Sequence, residues 1–159
     1  MNKKWIIAIL VVLILGAVGG IWYEGTHVQG TPTPSVSYTN NEYGFTVALP
    51  EDWRGYTIVT STWTGYSTST MYGPIISIRN PLWTSSTPTQ DIPIMVFTLN
   101  EWNAVSSGTM PVSAAPIPPS ELGENTHYVF ALPARYNYAF PPGWQEVQTI
   151  MQSDPLHAF

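Results

Sequence analysis

Four aromatic side chains stand out in this sequence because of the chemistry that their types and spacing allow. Trp63, Tyr66, Tyr72 and Trp83 fall within one stretch that carries a single charge, Arg79. Indole and phenol rings present flat apolar area with a polar edge, which suits a protein partner or the face of a sugar. We therefore predict a binding surface at these four residues, with Trp83 as its main anchor because it lies in a loop. The alternative is that the sheet buries the rings.

Carboxylates offer a second chemistry, because two of them beside an aromatic groove can act as acid and base on a glycosidic bond. Glu51 and Asp52 fall in a predicted exposed turn, and Glu101 is explained as a helix cap. We therefore predict a non-catalytic domain, with a cell-wall glycan-acting enzyme or a carbohydrate-binding domain as the alternative. A buried acid beside concave aromatics would favour the enzyme, whereas a flat apolar patch would favour a protein partner. The acids considered are Glu42, Glu51, Asp52, Asp91 and Glu101.

Several other chemistries are excluded by residues that the sequence lacks. It contains no cysteine, which rules out disulfides, thiolate metal sites and the lipidation of bacterial lipoproteins. No two of His27, His127 and His157 have the spacing of common metal ligands, and there is neither a Gly-x-Ser-x-Gly motif nor a phosphate-binding glycine loop. The net charge of −5 comes without a basic stripe, which excludes nucleic acid as a partner. We expect no cofactor and no bound metal.

The N-terminal segment carries the signals of a membrane anchor. An uncharged apolar run extends over Trp5–Tyr23, and a helix of that length is about 28 Å long, close to the hydrocarbon thickness of a bilayer. Lys3 and Lys4 precede the run, and positive charges at this position indicate the cytoplasmic side. We therefore predict a single-pass anchor over residues 1–23 in the cell membrane, with the N-terminus cytoplasmic and the domain extracytoplasmic. The alternative is a signal peptide cleaved at the small residues near Gly20.

The remainder of the sequence is predicted to form a stalk, one domain and a tail. Residues 24–37 contain two glycines and two prolines, which predicts an extended stalk. Between residues 38 and 153, short runs of alternating or β-branched residues end at prolines and glycines, as expected for antiparallel strands. Residues 144–152 predict a C-terminal helix, and residues 154–159 are expected to be a frayed tail. The predicted fold class is α+β, with a mainly antiparallel sheet and helices packed against it.

Particular stretches define the predicted elements. Phe45–Leu49 alternates between apolar and small or polar residues, and Trp53 is placed over the end of the core just after it. Gly73–Pro74 predicts a turn in a hairpin whose second strand covers Ile75–Arg79. Ile92–Thr98 is almost wholly apolar and is predicted to be a central strand covered on both faces. A capping box of Thr98 and Glu101 then begins a helix.

The stretch that opens the domain resembles the entry to PsbP/Mog1-like domains. A polar turn after Tyr38 leads into Tyr43-Gly44-Phe45, and the strand ends in Pro50-x-x-Trp53. The chain is also similar to small membrane-anchored bacterial proteins in the blocks QDIPIMVFT, SAAPIPPSELG and YVFALPARYN. The resemblance implies an antiparallel sheet sandwiched by helices and a role in binding proteins rather than catalysis. Relatives of this kind serve photosystem II or bind a small GTPase, but this chain carries no motif that marks either partner.

The function that these features favour is that of a membrane-anchored, extracytoplasmic binding or assembly module. Its expected contacts are the membrane, through the N-terminal helix, and a protein partner at the aromatic surface, with a glycan as the other possible ligand. A purely structural surface subunit is the remaining alternative.

Overall fold

A computed structural model describes residues 36–66, 70–115 and 117–159 of the chain. The anchor predicted over residues 1–23 and the stalk up to residue 35 lie outside this part, so both stay predictions. Among the described residues, no helix has both the length and the apolar composition needed to cross a bilayer. The first described strand begins at Val36, two residues before the predicted start of the domain.

Strands dominate the described part of the chain and form two antiparallel sheets. The smaller has three strands in the order β1-β2-β8, and the larger has five in the order β3-β4-β5-β7-β6. Two helices complete the fold, which confirms the α+β class and the antiparallel pairing but divides the predicted sheet into two. The elements are β1 (Val36–Asn40), β2 (Phe45–Leu49), β3 (Thr57–Tyr66), β4 (Thr70–Arg79), β5 (Ile92–Thr98), α1 (Leu99–Ser106), β6 (Ser120–Glu124), β7 (Tyr128–Leu132), α2 (Trp144–Gln152) and β8 (Leu156–Ala158).

The centre of the larger sheet is buried on both faces, as β5 shows. Side chains of β5 alternate between two apolar clusters, one on each face of the sheet. An almost wholly apolar strand of this kind is stable because both of its faces are covered. On one face Ile94 and Val96 pack with the smaller sheet and with Val147 of α2. On the other face Phe97 packs with Val105 of α1. The two helices therefore lie against opposite faces of the larger sheet, and the smaller sheet shares one face with α2.

The strand β2 has the bounds that the sequence predicts. Phe45, Val47 and Leu49 are fully buried, and the two residues between them are half-buried. Pro50 follows the strand, and a short 3-10 turn then places Trp53 fully buried at the edge of the same core. Alternation specifies this strand well because a shift of one residue would move its apolar side chains out of the core.

The C-terminal residues correct the prediction of a frayed tail over residues 154–159. They form β8, which pairs antiparallel with β2 and places Leu156 opposite Val47. Leu156 is buried in the core, and the Phe159 amide donates a hydrogen bond to the Gly44 carbonyl at 2.9 Å. The strand is short and depends on a partner far away in the chain, so its own sequence does not reveal it.

Candidate functional site

Trp63, the first residue of the predicted binding surface, is buried under the β3–β4 hairpin. Only 3% of its surface is exposed, and its indole Nε1 donates a hydrogen bond to the Val96 carbonyl at 2.8 Å. The ring centroids of Trp63 and Phe97 lie 4.5 Å apart. The prediction of an exposed binding ring is therefore wrong for Trp63, because its side chain supports the sheet from within.

Gly73 and Pro74 explain how the indole reaches the Val96 carbonyl. The register of β4 with β5, continued by one residue, places Pro74 opposite Val96. Proline has no N–H to offer that carbonyl, and the indole of Trp63 supplies the hydrogen bond instead. The ring passes over Gly73, where a Cβ would come within 2.6 Å of it. Both residues thus lie inside β4, and the predicted turn at Gly73–Pro74 is wrong.

A proline-rich segment, residues 110–115 and 117–119, crosses the face of the larger sheet that carries α1, and we call it the strap. Met110 is fully buried, and its amide donates to the Ala104 carbonyl of α1 at 3.0 Å. At the same end of the strap, the Tyr66 amide donates to the Pro111 carbonyl at 3.1 Å. These two hydrogen bonds join the strap to α1 and to the end of β3. Its prolines restrict φ, so the segment loses little entropy when it is held in place.

A groove of about 630 Å³ lies between β3 and the strap. Trp63, Ile75 and Met95 belong to the apolar cluster beneath it, and the walls come from β3, the strap and the residues that follow β7. Among the described residues, none that lines the groove is charged. The lining consists of Thr62, Trp63, Thr64, Tyr66, Ile75, Met95, Pro111, Val112, Ser113, Ala114, Pro119, Pro133 and Ala134.

A smaller cavity of about 270 Å³ adjoins the groove along the strap. It lies between the strap and the C-terminal end of α1, and it shares Pro111, Val112, Ser113 and Pro119 with the groove. Its described lining is also without charge. The strap is therefore the common wall of two neighbouring uncharged cavities.

The two tyrosines of the predicted surface are both exposed but occupy different positions. Tyr66 is 64% exposed and lines the groove. Tyr72 is 73% exposed and lines neither cavity. Of the four predicted residues, the structure brings together Trp63 and Tyr66 and leaves Tyr72 on the open surface of the hairpin.

Trp83, the predicted main anchor, lies beyond the opposite end of β4. Its ring is half-buried, and the guanidinium carbon of Arg79 sits 4.0 Å from the ring centroid. Arg79 also forms an ion pair with Asp91, with 3.1 Å between Nε and Oδ2. Along β4, Tyr72 and Arg79 are about 23 Å apart. Trp83 therefore packs on the one charge of this region and does not join the tyrosines.

The predicted carboxylate candidates do not converge on the groove. Glu51 forms an ion pair with Arg54 in the 3-10 turn. Glu101 completes the predicted capping box, since its carboxylate accepts a hydrogen bond from the Thr98 amide at 2.7 Å. Neither cavity is lined by any of Glu42, Glu51, Asp52, Asp91 and Glu101. The acid pair that a glycan-acting enzyme would need is therefore absent from the described lining of the groove.

Glu146, on the first turn of α2, is the acid that sequence reasoning missed. Its Oε1 accepts a hydrogen bond from Trp53 Nε1 at 2.7 Å. Burial raises the pKa of Glu146 above its usual 4.5, the nearby Asp52 carboxylate raises it further, and the Trp53 hydrogen bond opposes both. The contact ties α2 to the 3-10 turn after β2. No local signal could have identified it, because the two partners are far apart in the chain.

Comparisons with protein families, with curated proteins and with solved structures find no match to this chain. The resemblance to PsbP/Mog1-like domains therefore stays a prediction. Within the part of the chain that the structure describes, no three His, Cys, Asp or Glu side chains are grouped so that they could hold a metal ion. What the site offers is an apolar cavity with hydroxyl groups on its rim, which suits the binding of an uncharged ligand.

Proposed function

We propose that this domain is a non-catalytic binding or assembly module that holds an uncharged, extended segment of a partner protein in the groove. The observation that carries the proposal is the lining, which combines Tyr66, Ile75 and Val112 with hydroxyl groups and, among the described residues, contains no charge. Depletion of charge together with enrichment in aromatic residues and methionine distinguishes the cores of protein interfaces from ordinary surface.

The shape of the groove supports a peptide segment as the ligand. Its volume of about 630 Å³ lies within the range that is usual for ligand sites. A strand forms one wall and the described part of the proline-rich strap forms the other, and both pairing with β4 and the prolines restrict the backbone of these walls. A site of this kind has few bonds to immobilise when the ligand arrives, which favours affinity.

The described lining of the groove contains no Asp, Glu, His, Lys or Arg side chain, which argues against catalysis there. General acid–base chemistry needs a group that can hold and release a proton next to the substrate. Glu146 has a raised pKa, but it contacts Trp53, which belongs to the apolar cluster on the other face of the larger sheet. We therefore propose binding rather than turnover.

A neutral glycan is the second candidate ligand. The observation that favours it is the hydroxyl-bearing rim of Thr62, Thr64 and Ser113 beside the Tyr66 ring. Sugar hydroxyls can bond to such a rim while the apolar face of the sugar stacks on an aromatic ring. We place the protein partner first because Trp63, the larger ring, is buried and presents no open face to a sugar.

We propose that the module works outside the cytoplasm, held in the cell membrane by the anchor over residues 1–23. The resemblance to PsbP/Mog1-like domains supports a protein-binding role without naming a partner. The full-length protein should stay in the membrane fraction after a carbonate wash, and mass spectrometry should find peptides that begin at Met1. A mature N-terminus near Gly20 would contradict the anchor and make the domain a secreted one.

Photocrosslinking tests the groove directly. A benzophenone amino acid replaces Tyr66 in the full-length protein, and membranes of the producing cells are irradiated. We expect one discrete partner protein in the crosslinked product. Ala114→Trp places a large ring in the groove and should abolish the crosslink. Thr84→Trp, in an exposed loop outside the groove, is the matched control and should leave the crosslink unchanged.

The same experiment separates the proposal from its competitors. A crosslinked product that carries carbohydrate and no second polypeptide would favour the glycan candidate. A crosslink that survives Ala114→Trp would contradict binding in the groove. The absence of any crosslinked product that contains a second, different polypeptide would contradict the proposed partner protein.

A further inference from the structure

The outer edge of β3 is open along most of its length. β3 is the last strand of the larger sheet, and no strand of the described residues pairs with its outer side. Most of its residues are exposed, including Ile58 at 39%. An open edge presents a row of backbone donors and acceptors that the backbone of another strand can satisfy.

One hydrogen bond identifies the residues that face outward. The Tyr66 amide donates to the Pro111 carbonyl of the strap and so points away from β4. In an antiparallel strand, every second residue directs both its N–H and its C=O to the same side. The residues of β3 that share this outward direction are Ile58, Thr60, Thr62 and Thr64.

Apart from the strap's hydrogen bond at Tyr66, β3 has none of the features that usually protect an edge strand. It is ten residues long, and its sequence TIVTSTWTGY contains neither a charge nor a proline. Its pairing with β4 runs without a bulge from Thr57 to Tyr66. Proteins keep edge strands from pairing with other chains by shortening them or by adding charges, prolines or bulges. An edge that lacks all four is ready to pair.

We propose that the strand which completes this edge is β3 of a second copy of the chain, paired antiparallel so that two five-stranded sheets join into one. In a dimer with a two-fold axis, β3 of one copy pairs with β3 of the other, so any charged residue on it would lie close to the same charge on the second copy and would destabilise the pair. β3 carries none, and its threonines and β-branched residues form favourable cross-strand pairs. The inference rests on this edge, and because Thr62 and Thr64 also line the groove, the second copy borders the proposed site of the partner segment.

The register of the pairing follows from the outward residues. Only one alignment of the two β3 strands pairs all four outward residues. It places Ile58 of one copy opposite Thr64 of the other, and Thr60 opposite Thr62, on both sides of the two-fold axis. Ser61 then meets its own copy beside the axis. At that position the two strands exchange no hydrogen bond, and facing residues approach most closely.

The symmetry of this pair also suits two chains held in one membrane. The axis is perpendicular to the joined sheet, so both copies turn the same face to the same side. The smaller sheet packs on one face of the larger sheet, which places both smaller sheets, with their β1 strands, on one side of the dimer. Val36, where the described part of each chain begins, therefore lies on the same side of the dimer in both copies.

Cysteine crosslinking of the full-length protein tests the register, because the chain has no cysteine of its own. Ser61→Cys in membranes should give a disulfide-linked dimer under mild oxidation, since facing residues at such a position lie within disulfide range. Thr126→Cys, in an exposed bend outside β3, is the control and should stay monomeric. Adding Thr60→Pro to Ser61→Cys should prevent the crosslink, because the proline removes an outward N–H and leaves the pairing with β4 in place.

Light scattering of the detergent-solubilised full-length protein provides the second measurement. We expect the protein mass of a dimer for the wild type and that of a monomer for Thr60→Pro. Crosslinking of Ser61→Cys that is no faster than that of Thr126→Cys, or a monomer mass for the wild type, would overturn the proposal. The Tyr66 photocrosslink to a different protein tests the groove, whereas the Ser61→Cys disulfide and the protein mass test the dimer. Either proposal can therefore fail without the other.

Discussion

The two edges of the larger sheet are built in opposite ways. β3 is ten residues long, uncharged and in unbroken register with its neighbour. β6, at the other edge, is five residues long, carries Glu121 and Glu124, and has an irregularity in register between Glu121 and Gly123. Short length, charge and bulges are the means by which proteins keep an edge from pairing. The contrast indicates that this fold protects one edge and leaves the other available for contact.

The two edge strands also have different neighbours, and the β6 edge is again the better protected one. β6 adjoins β8 of the smaller sheet, and a Cβ at Gly123 would lie 3.3 Å from Leu156. β3 instead adjoins the groove, with Thr62, Thr64 and Tyr66 in its lining. The difference therefore extends beyond one strand to a whole side of the domain, which carries both of the contacts that we propose.

Removing the Trp63 side chain should have the largest effect, because it takes away the support beneath β3. We expect Trp63→Ala to lower the free energy of unfolding by about 3–5 kcal/mol, as for other buried aromatic residues. Chemical denaturation measures this loss. Tyr72→Ala, on the exposed surface of the same hairpin, is the control and should cost less than about 0.5 kcal/mol. Equally small losses for both variants would mean that Trp63 is not a core residue.

Proline substitutions at neighbouring positions of β3 should differ in their effect on stability. The Ser61 N–H faces β4, so Ser61→Pro removes a ladder hydrogen bond and should cost about 1–3 kcal/mol more than Thr60→Pro. The Thr60 N–H faces outward, so its loss should affect the proposed dimer and not the fold of one copy. Unfolding curves of both variants test this, and equal destabilisation would show that the outward assignment is wrong.

Trp83 should contribute to stability and not to binding, which reverses the prediction made from the sequence. Trp83→Ala removes the ring beneath Arg79, and the loss of such a cation–π contact should cost about 0.5–2 kcal/mol in unfolding. The Tyr66 photocrosslink should keep its yield. Leu82→Ala, at an exposed position of the same loop, should change neither quantity. A loss of crosslinking in Trp83→Ala, with unchanged stability, would restore Trp83 as the partner anchor.

The smallest expected effect is that of pH, and it should arise away from β3. Burial raises the pKa of Glu146 above its usual 4.5, so the folded protein binds this proton more tightly than the unfolded chain does. The stability of the wild type relative to Glu146→Gln should be greatest below pH 4.5 and should fall as the pH rises through the raised pKa. Urea midpoints of the two proteins across this range measure the difference, and a constant difference would contradict the assignment.

The proposed dimer contact at β3 should, in contrast to the stability contributed by Glu146, not depend on pH. β3 contains no Asp, Glu, His, Lys or Arg, so the dimer mass should stay constant over the same pH range and between low and high salt. A dimer that dissociates in salt would show that charges outside β3 hold it together.

Local patterns in the sequence were sufficient for the elements whose neighbours specify them. The bounds of β2, β5 and α2 follow from alternation, from an apolar run and from a helical spacing of apolar residues. The capping box of Thr98 and Glu101 sets the start of α1. In each case the residues that determine the element lie within it or beside it.

The errors involve residues that are distant in the chain. β8 forms because Leu156 enters the core opposite Val47. Gly73–Pro74 carries a turn signal, but the indole of Trp63 needs both residues inside β4. The excess of aromatic residues pointed to the hairpin that borders the groove, whose binding role stays a prediction. It could not tell which rings are buried, or that the strap would form the opposite wall, because both depend on how the chain folds back on the sheet.

Hydrogen exchange at the two edges of the larger sheet, in the full-length protein embedded in membranes, tests most directly whether the β3 side is the interacting side. Mass spectrometry follows peptides that cover residues 57–66 and 120–124. We expect slow exchange throughout β3, including its outward amides, and fast exchange at the outer edge of β6. Thr60→Pro should restore fast exchange to the outward amides of β3. Fast exchange of the outward amides at both edges of the wild-type protein would contradict this expectation.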